Sequence, residues 1–173
     1  MNSAISNSIV RWIVFWLLQV FLFKYVVWGW GGKVYLQVHF YPLFIYLLPF
    51  ATPRILTIVL AFTLGLAVDW LYETPGMHAG ALVFTAYLRR PVLNILAPRE
   101  GYNPKDSPTK ASLGDAWFLR YISLLTFLHL AFYYLLESFT ILYWNTILIQ
   151  AVVSLVGSLF FMLLYVYIIN PKV

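Results

Sequence analysis

The stretch "RILTIVLAFTLGLAVDWLY", residues 54 to 72, carries charge only at Arg54 and Asp69. A spanning helix needs about 20 predominantly apolar residues to cross a hydrocarbon core about 30 Å thick, and this run meets that length. Comparable runs recur along the chain. Of its 173 residues 62% are hydrophobic and only 10% charged, against about 25% charged in an ordinary soluble domain. A chain this short cannot bury so much apolar surface within itself, so its solvent is expected to be a bilayer. The absence of cysteine removes disulfides, thiolate metal sites and a cysteine nucleophile from consideration.

The runs divide the chain into about six expected spans in one transmembrane domain, residues 1–173, of all-α class. The first extends from about Ile9 to Trp28 and ends at "WGWGGK", where glycines stop a helix and tryptophans suit the headgroup level. It is long, aromatic-rich and followed by no small-residue cleavage site, so it reads as a retained span rather than a signal peptide. The second, "VYLQVHFYPLFIYLLPFATP", is interrupted by Pro42 and closed by Pro49 and Pro53. Residues 34–50 are therefore expected either to cross as a kinked helix or to form a re-entrant hairpin. The third span is 54–72, and "ETPG" is a tight turn after it. The fourth begins at Met77 and soon reaches Arg89 and Arg90. The fifth covers about Ala116–Leu136 and the sixth about Tyr143–Ile169. Between the fourth and fifth lies the only long hydrophilic loop, at about residues 97–115.

Lysine and arginine set the expected orientation. Six crossings with both termini inside place Arg11, Arg54, Arg89, Arg90, Arg99, Lys105, Lys110, Arg120 and Lys172 on the inner side and Lys24 and Lys33 on the outer. Arg89, Arg90, Arg99, Lys105 and Lys110 are thus expected to form a cytoplasmic basic face that touches anionic lipid. This distribution does not resemble a nucleic-acid patch.

The polar residues within the apolar runs are the candidates for chemistry. Asp69 and Glu73 share one helix face near the outer end of the third span. Carboxylates facing lipid there would cost several kcal/mol. Two readings are open for Asp69: an interfacial cap, or a polar site between helices bonded to His78 or to backbone amides opening the fourth span. Glu73 reads as a solvated turn residue. His39, His78 and His129 are isolated in the sequence, and none has metal-ligand spacing. Ser154 and Ser158 with His129 allow an intramembrane hydrolase dyad on paper, but "GSLF" lacks the glycine after serine usual for such enzymes, and helix packing is the ordinary role of such serines. No Walker A loop or GxGxxG fingerprint occurs. The expectation is a protein without enzymatic activity, cofactor or metal.

The segment "GLAVDWLYETPGMHAGALVFTAYL" resembles the signature region of the rod shape-determining protein MreD family, matching its pattern at Gly65, Asp69, Pro75, Gly76, His78 and Ala79. The layout of the whole chain is also similar, whereas Arg89-Arg90-Pro91 and the loop after them are not part of the shared pattern. The resemblance implies a scaffold of the bacterial cell-elongation machinery in the inner membrane, with a fold similar to the S components of energy-coupling-factor transporters. It implies pairing with the one-span protein MreC alongside MreB, RodA and penicillin-binding protein 2 in peptidoglycan synthesis, and it leaves room for homo-oligomers. On this reading Gly65, Ala79 and Gly80 offer a small-residue surface for a partner's span, and Asp69, Glu73, Pro75, Gly76 and His78 form the adjoining polar site. The alternative is a small-molecule-binding membrane subunit such as a vitamin-transporter S component. That class typically has an alanine-patterned first span, and none of the residues from Ile9 to Trp28 is alanine.

Overall fold

The computed structural model describes residues 2–31, 33–104, 106–139 and 144–169, with side chains described for 8–31, 34–104, 106–139 and 144–168. The protein is mostly helical, at 73%. Helix α1 (Asn2–Leu17) continues through a π turn (Leu18–Leu22) and a 3-10 turn (Phe23–Tyr25). Strands β1 (Val27–Trp30) and β2 (Lys33–Gln37) follow as an antiparallel hairpin, turned at Gly31 with φ 61°. A single helical turn, α2 (Leu43–Tyr46), precedes α3 (Arg54–Tyr72) and α4 (Met77–Ile95). Short α5 (Lys110–Leu113) leads to α6 (Asp115–Ser138) and α7 (Trp144–Ile169). Among the described residues four stretches, Ser8–Tyr25, Arg54–Tyr72, Asp115–Ser138 and Trp144–Ile168, are long and apolar enough to cross a membrane. This is the architecture of a multi-pass membrane protein.

Helices α1 and α3 run in the same direction. Trp16 Nε1 donates to the Ala67 carbonyl at 2.9 Å, and Lys24 Nζ donates to that of Leu71 at 2.5 Å, where a cation complements the exposed carbonyls of a helix C-terminus. α4 turns back along α3. The molecule therefore has a hairpin end, with β1–β2, the α3–α4 turn and the facing ends of α6 and α7, and a loop end with residues 97–114.

The expected second helix does not form, so the bundle departs from the six-helix, all-α expectation in this segment. Residues 34–37 pair with β1, the next five residues form no regular helix or strand, and only α2 is helical before Pro49. Pro42 lacks an amide N–H and sits just before α2, where that loss costs little. Val34, Tyr35 and Val38 belong to types that favour strands. Every residue from Val38 to Leu48 is buried. This segment leaves the hairpin and ends where Leu48, Pro49 and Thr52 adjoin Ser8, Ile9 and Trp12 of α1. It thus passes from one end of the molecule to the other through its interior. The passage combines an extended first part, advancing about 3.3 Å per residue, with the helical turns of residues 40–48, advancing about 1.5 Å.

The amides of Leu43 to Leu48 bond to carbonyls within the segment, but those of His39, Phe40 and Tyr41 look outside it, and each unpaired backbone group would cost about 1–3 kcal/mol. Side chains from neighbouring helices supply many of the missing partners. The π turn brings Gln19 inward, and its amide uses both donors and accepts twice. Nε2 donates to the Val38 carbonyl (3.0 Å) and Tyr72 Oη (2.7 Å), and Oε1 accepts from the amides of Phe40 (2.7 Å) and Tyr41 (3.2 Å). On α7, Gln150, Ser154 and Ser158 lie one turn apart on one face. Gln150 Nε2 donates to the Val34 carbonyl (2.8 Å), Ser154 Oγ accepts from the Gln37 amide (3.0 Å), and Ser158 Oγ accepts from the His39 amide (2.9 Å). α7 thus completes the edge of β2. Gly157 permits the approach, since a Cβ there would lie 2.8 Å from Leu36 Cδ1. Farther in, Tyr121 Oη donates to the Tyr46 carbonyl (3.0 Å) and Arg89 Nη2 donates to that of Leu48.

The loop between α4 and α6 is tied to the bundle. The Phe50 ring stacks on Tyr102 at 4.4 Å, and the Phe50 amide donates to the Asp106 carbonyl at 3.1 Å. Tyr102 Oη and Trp117 Nε1 donate to the carbonyls of Leu93 and Leu96, each at 2.7 Å.

Replacing Gln19 by leucine preserves volume but leaves the Phe40 and Tyr41 amides and the Val38 carbonyl without that partner. We expect a loss of about 3 kcal/mol or more, seen as a lower unfolding midpoint in mild detergent. Val20→Leu, a neighbouring change that removes no polar group, serves as the control and is expected to shift the midpoint far less.

Candidate functional site

The α3–α4 joint is built on one carboxylate. α3 ends at Glu73 in the left-handed region (φ 57°), and Gly76 (φ 80°) opens α4. Glycine has no side chain with which to cap the exposed amides of α4. Asp69, in the last turn of α3, supplies the missing acceptor. Its Oδ1 accepts from the His78 amide (2.9 Å), His78 Nδ1 (3.0 Å) and Thr74 Oγ1 (2.6 Å), and its Oδ2 accepts from the Ala79 amide (2.9 Å). The second and third amides of α4 are thereby satisfied by a negative charge at a helix N-terminus, where the helix dipole favours it. Asp69 and His78 are both buried, whereas Glu73 and Pro75 are exposed on the turn.

Gly65 faces the same joint. A Cβ on Gly65 would lie 2.3 Å from Ala79 Cα and 2.7 Å from Ala79 N, so the two backbones are in contact. Gly80 faces α6, with Leu136 Cδ1 3.2 Å from where its Cβ would be. Gly65 and Ala79 are buried. These small residues join α3, α4 and α6 to one another. The expected outward surface for a partner's span is therefore corrected: close approach is used inside the bundle.

The three histidines, isolated in sequence, meet in space. His39 comes from the buried crossing segment, His78 from the start of α4 and His129 from the middle of α6. The ring centroids of His39 lie 5.7 Å from His78 and 5.6 Å from His129, and Tyr133 is 4.5 Å from His39. Thr85 Oγ1 donates to the Ala81 carbonyl (2.7 Å), so it accepts from His129 Nδ1 (3.0 Å), and Tyr41 Oη then donates to His129 Nε2 (2.9 Å). Both ring nitrogens of His39 and Nε2 of His78 are buried without a hydrogen-bond partner. Among the described residues no group of three or more His, Cys, Asp or Glu side chains is placed to hold a metal ion. The sequence reading missed this convergence and the part played by Thr74. The available signal for Thr74 was its place four residues before His78 in "TPGMH", with a hydroxyl beside a turn.

The paper dyad is not assembled. Ser158 is occupied by the His39 amide, and His129 is bonded to Tyr41 and Thr85. The basic face is also rearranged. Arg89 is buried, and its Nε donates to Tyr121 Oη at 3.1 Å beside the bond to Leu48. It holds the end of the crossing segment and so leaves the expected surface. Arg90 and Arg99 are exposed, Lys110 Nζ lies 3.8 Å from the Tyr167 ring centroid, and Lys105 lies outside the described residues.

Comparison with family models, curated proteins and solved structures finds no match.

Asp69→Ala removes four hydrogen bonds at one buried point, and we expect it to destabilise the protein by about 3 kcal/mol or more in mild detergent, with Asp69→Asn recovering part of the loss through its remaining carbonyl acceptor. The two glycines separate sharply. Gly65→Ala drives a methyl into Ala79 backbone and is expected to abolish recovery of folded protein, whereas Gly80→Ala meets only a flexible leucine and is expected to change stability by less than about 1 kcal/mol. Fluorescence-detected size-exclusion profiles and melting curves check both pairs.

Proposed function

We propose that this chain is a non-enzymatic scaffold of the bacterial inner membrane, of the MreD kind, acting in the cell-elongation machinery beside an MreC-like one-span partner and the peptidoglycan-synthesising proteins. The observation that carries the reading is the α3–α4 joint. Gly65, Asp69, Gly76, His78 and Ala79, five of the six residues on which the sequence resemblance rests, form one mechanical unit in which Asp69 is saturated by Thr74, His78 and α4 amides, with Pro75 exposed on the turn. A motif spent on holding two helices together suits a scaffold.

In this proposal the chain crosses six times, through α1, the buried segment 38–48, α3, α4, α6 and α7, with both termini in the cytoplasm. Exposed Tyr25, Trp28, Trp30, Trp70 and Trp144 gather at the hairpin end, as amphipathic rings do at a headgroup level. Tyr87 and Tyr167 mark the other end, each with a cation against its ring: Arg54 at 4.0 Å and Lys110 at 3.8 Å. Trp144 and Tyr167 stand about 35 Å apart along α7 at 1.5 Å per residue, which fits a hydrocarbon core with part of its headgroup layers. The cationic loop end is then the inner side, where anionic lipids reside.

A second reading, a subunit that binds a small apolar molecule, draws on a cavity of about 480 Å³ between α1 and α3 at the loop end, lined by Trp12, Leu48, Pro49, Leu56 and Leu60. Affinity purification in mild detergent separates the two readings. The scaffold reading expects co-elution of a one-span protein with a long extracytoplasmic part, and loss of rod shape when the gene is depleted. A stoichiometric small molecule, with normal cell shape after depletion, would replace it by the second.

A further inference from the structure

The histidine cluster has chemistry that the scaffold reading does not use, and the following inference stands independently of that reading. We propose that the three imidazoles make the hairpin-end half of the buried crossing segment acid-sensitive: proton uptake by the cluster releases residues 37–42 from their seat.

Imidazole is the side chain whose charge ordinarily changes between pH 5 and 8. Here three imidazoles from three different elements lie with centroids 5.6 and 5.7 Å from His39, and all are buried. The groups facing them supply little compensation. From α3 come Asp69 and Tyr72, from the crossing segment Tyr41, and from α6 Tyr133 and Tyr134, with Glu137 exposed one turn beyond. From α7 comes only the Ser158 hydroxyl, on the His39 amide. Among the described residues Asp69 is the one carboxylate in contact, through His78 Nδ1. It balances one positive charge on His78, whose Nε2 is the unpartnered atom that would take the proton.

A second charge, on His39 or His129, meets no carboxylate among the described residues. His129 Nε2 already accepts from Tyr41 Oη, so a proton there forces that hydroxyl to turn away. Neither nitrogen of His39 has an acceptor within reach. His39 is also the residue least able to stay where it is. It is held by its backbone amide on Ser158, by ring contacts and by no side-chain hydrogen bond. Swinging the segment outward brings a charged His39 toward the headgroup level at the hairpin end, where water can solvate it.

Hydrogen–deuterium exchange on the full chain in mild detergent, at about pH 7.5 and about pH 5 and corrected for intrinsic rates, reads the state of the segment directly. The expected result is a loss of protection of about tenfold or more at the amides of residues 37–41 at acid pH, with α3 amides unchanged. His39→Phe loses no hydrogen bond and is expected to remove most of that acid effect. If it does not fold, His39→Gln takes its place with the same expectation. Ser158→Ala is expected to lower protection equally at both pH values, which separates a weakened seat from a charged one. Unchanged protection in the wild-type chain, or an acid loss of the same size in the His39 variant, overturns the proposal.

Discussion

The structure depends on the pairing of buried backbone groups in a segment that is not a helix. Lipid offers no hydrogen bonds, so irregular chain at membrane depth persists only where protein surrounds it. Residues 38–48 meet that condition by complete burial and by partners from four neighbouring elements: Gln19 in the π turn after α1, Arg89 on α4, Tyr121 on α6 and Ser158 on α7. Each of these polar side chains is out of place when viewed against its own apolar helix. Each makes sense once the segment it serves is known.

The α3–α4 joint solves the same problem at a helix end. A turn of Glu73, Thr74, Pro75 and Gly76 leaves α4 without a capping side chain of its own, and Asp69 reaches across to provide one. Gly65 lets the two backbones touch at Ala79, which brings the carboxylate within reach. Close packing and capping are therefore one device. An acid near the end of an apolar span thus has a structural reason: it is the N-terminal cap of the next helix.

What was legible in the sequence follows the range of the forces involved. The third span was read to the residue, because a 19-residue apolar run bounded by Pro53 and "ETPG" is a local signal. α4 from Met77 and the bounds of α6 followed from the same kind of pattern. Of the two readings open for Asp69, the one at the start of α4 was within reach, since only nine residues separate it from His78. The second span was not legible. Its composition is that of a helix in lipid, and only its partners, as distant in sequence as Ser154 and Ser158, draw its first part, up to His39, out of a helix. Arg89 was misplaced for a related reason: a charge in sequence looks like surface, and nothing local reveals the carbonyl of Leu48 beside it. The convergence of three histidines is tertiary throughout.

The seat of the crossing segment also bears on how the protein is made. The Gln37 and His39 amides find their acceptors 117 and 119 residues later in the chain. At roughly 5–20 residues per second a ribosome needs on the order of ten seconds to deliver that helix. During this interval the Gln37 and His39 amides lack these acceptors, and the stretch that carries them has no seat on α7. Whatever conformation it holds until then, the segment reaches its native seat only after the last helix has been made.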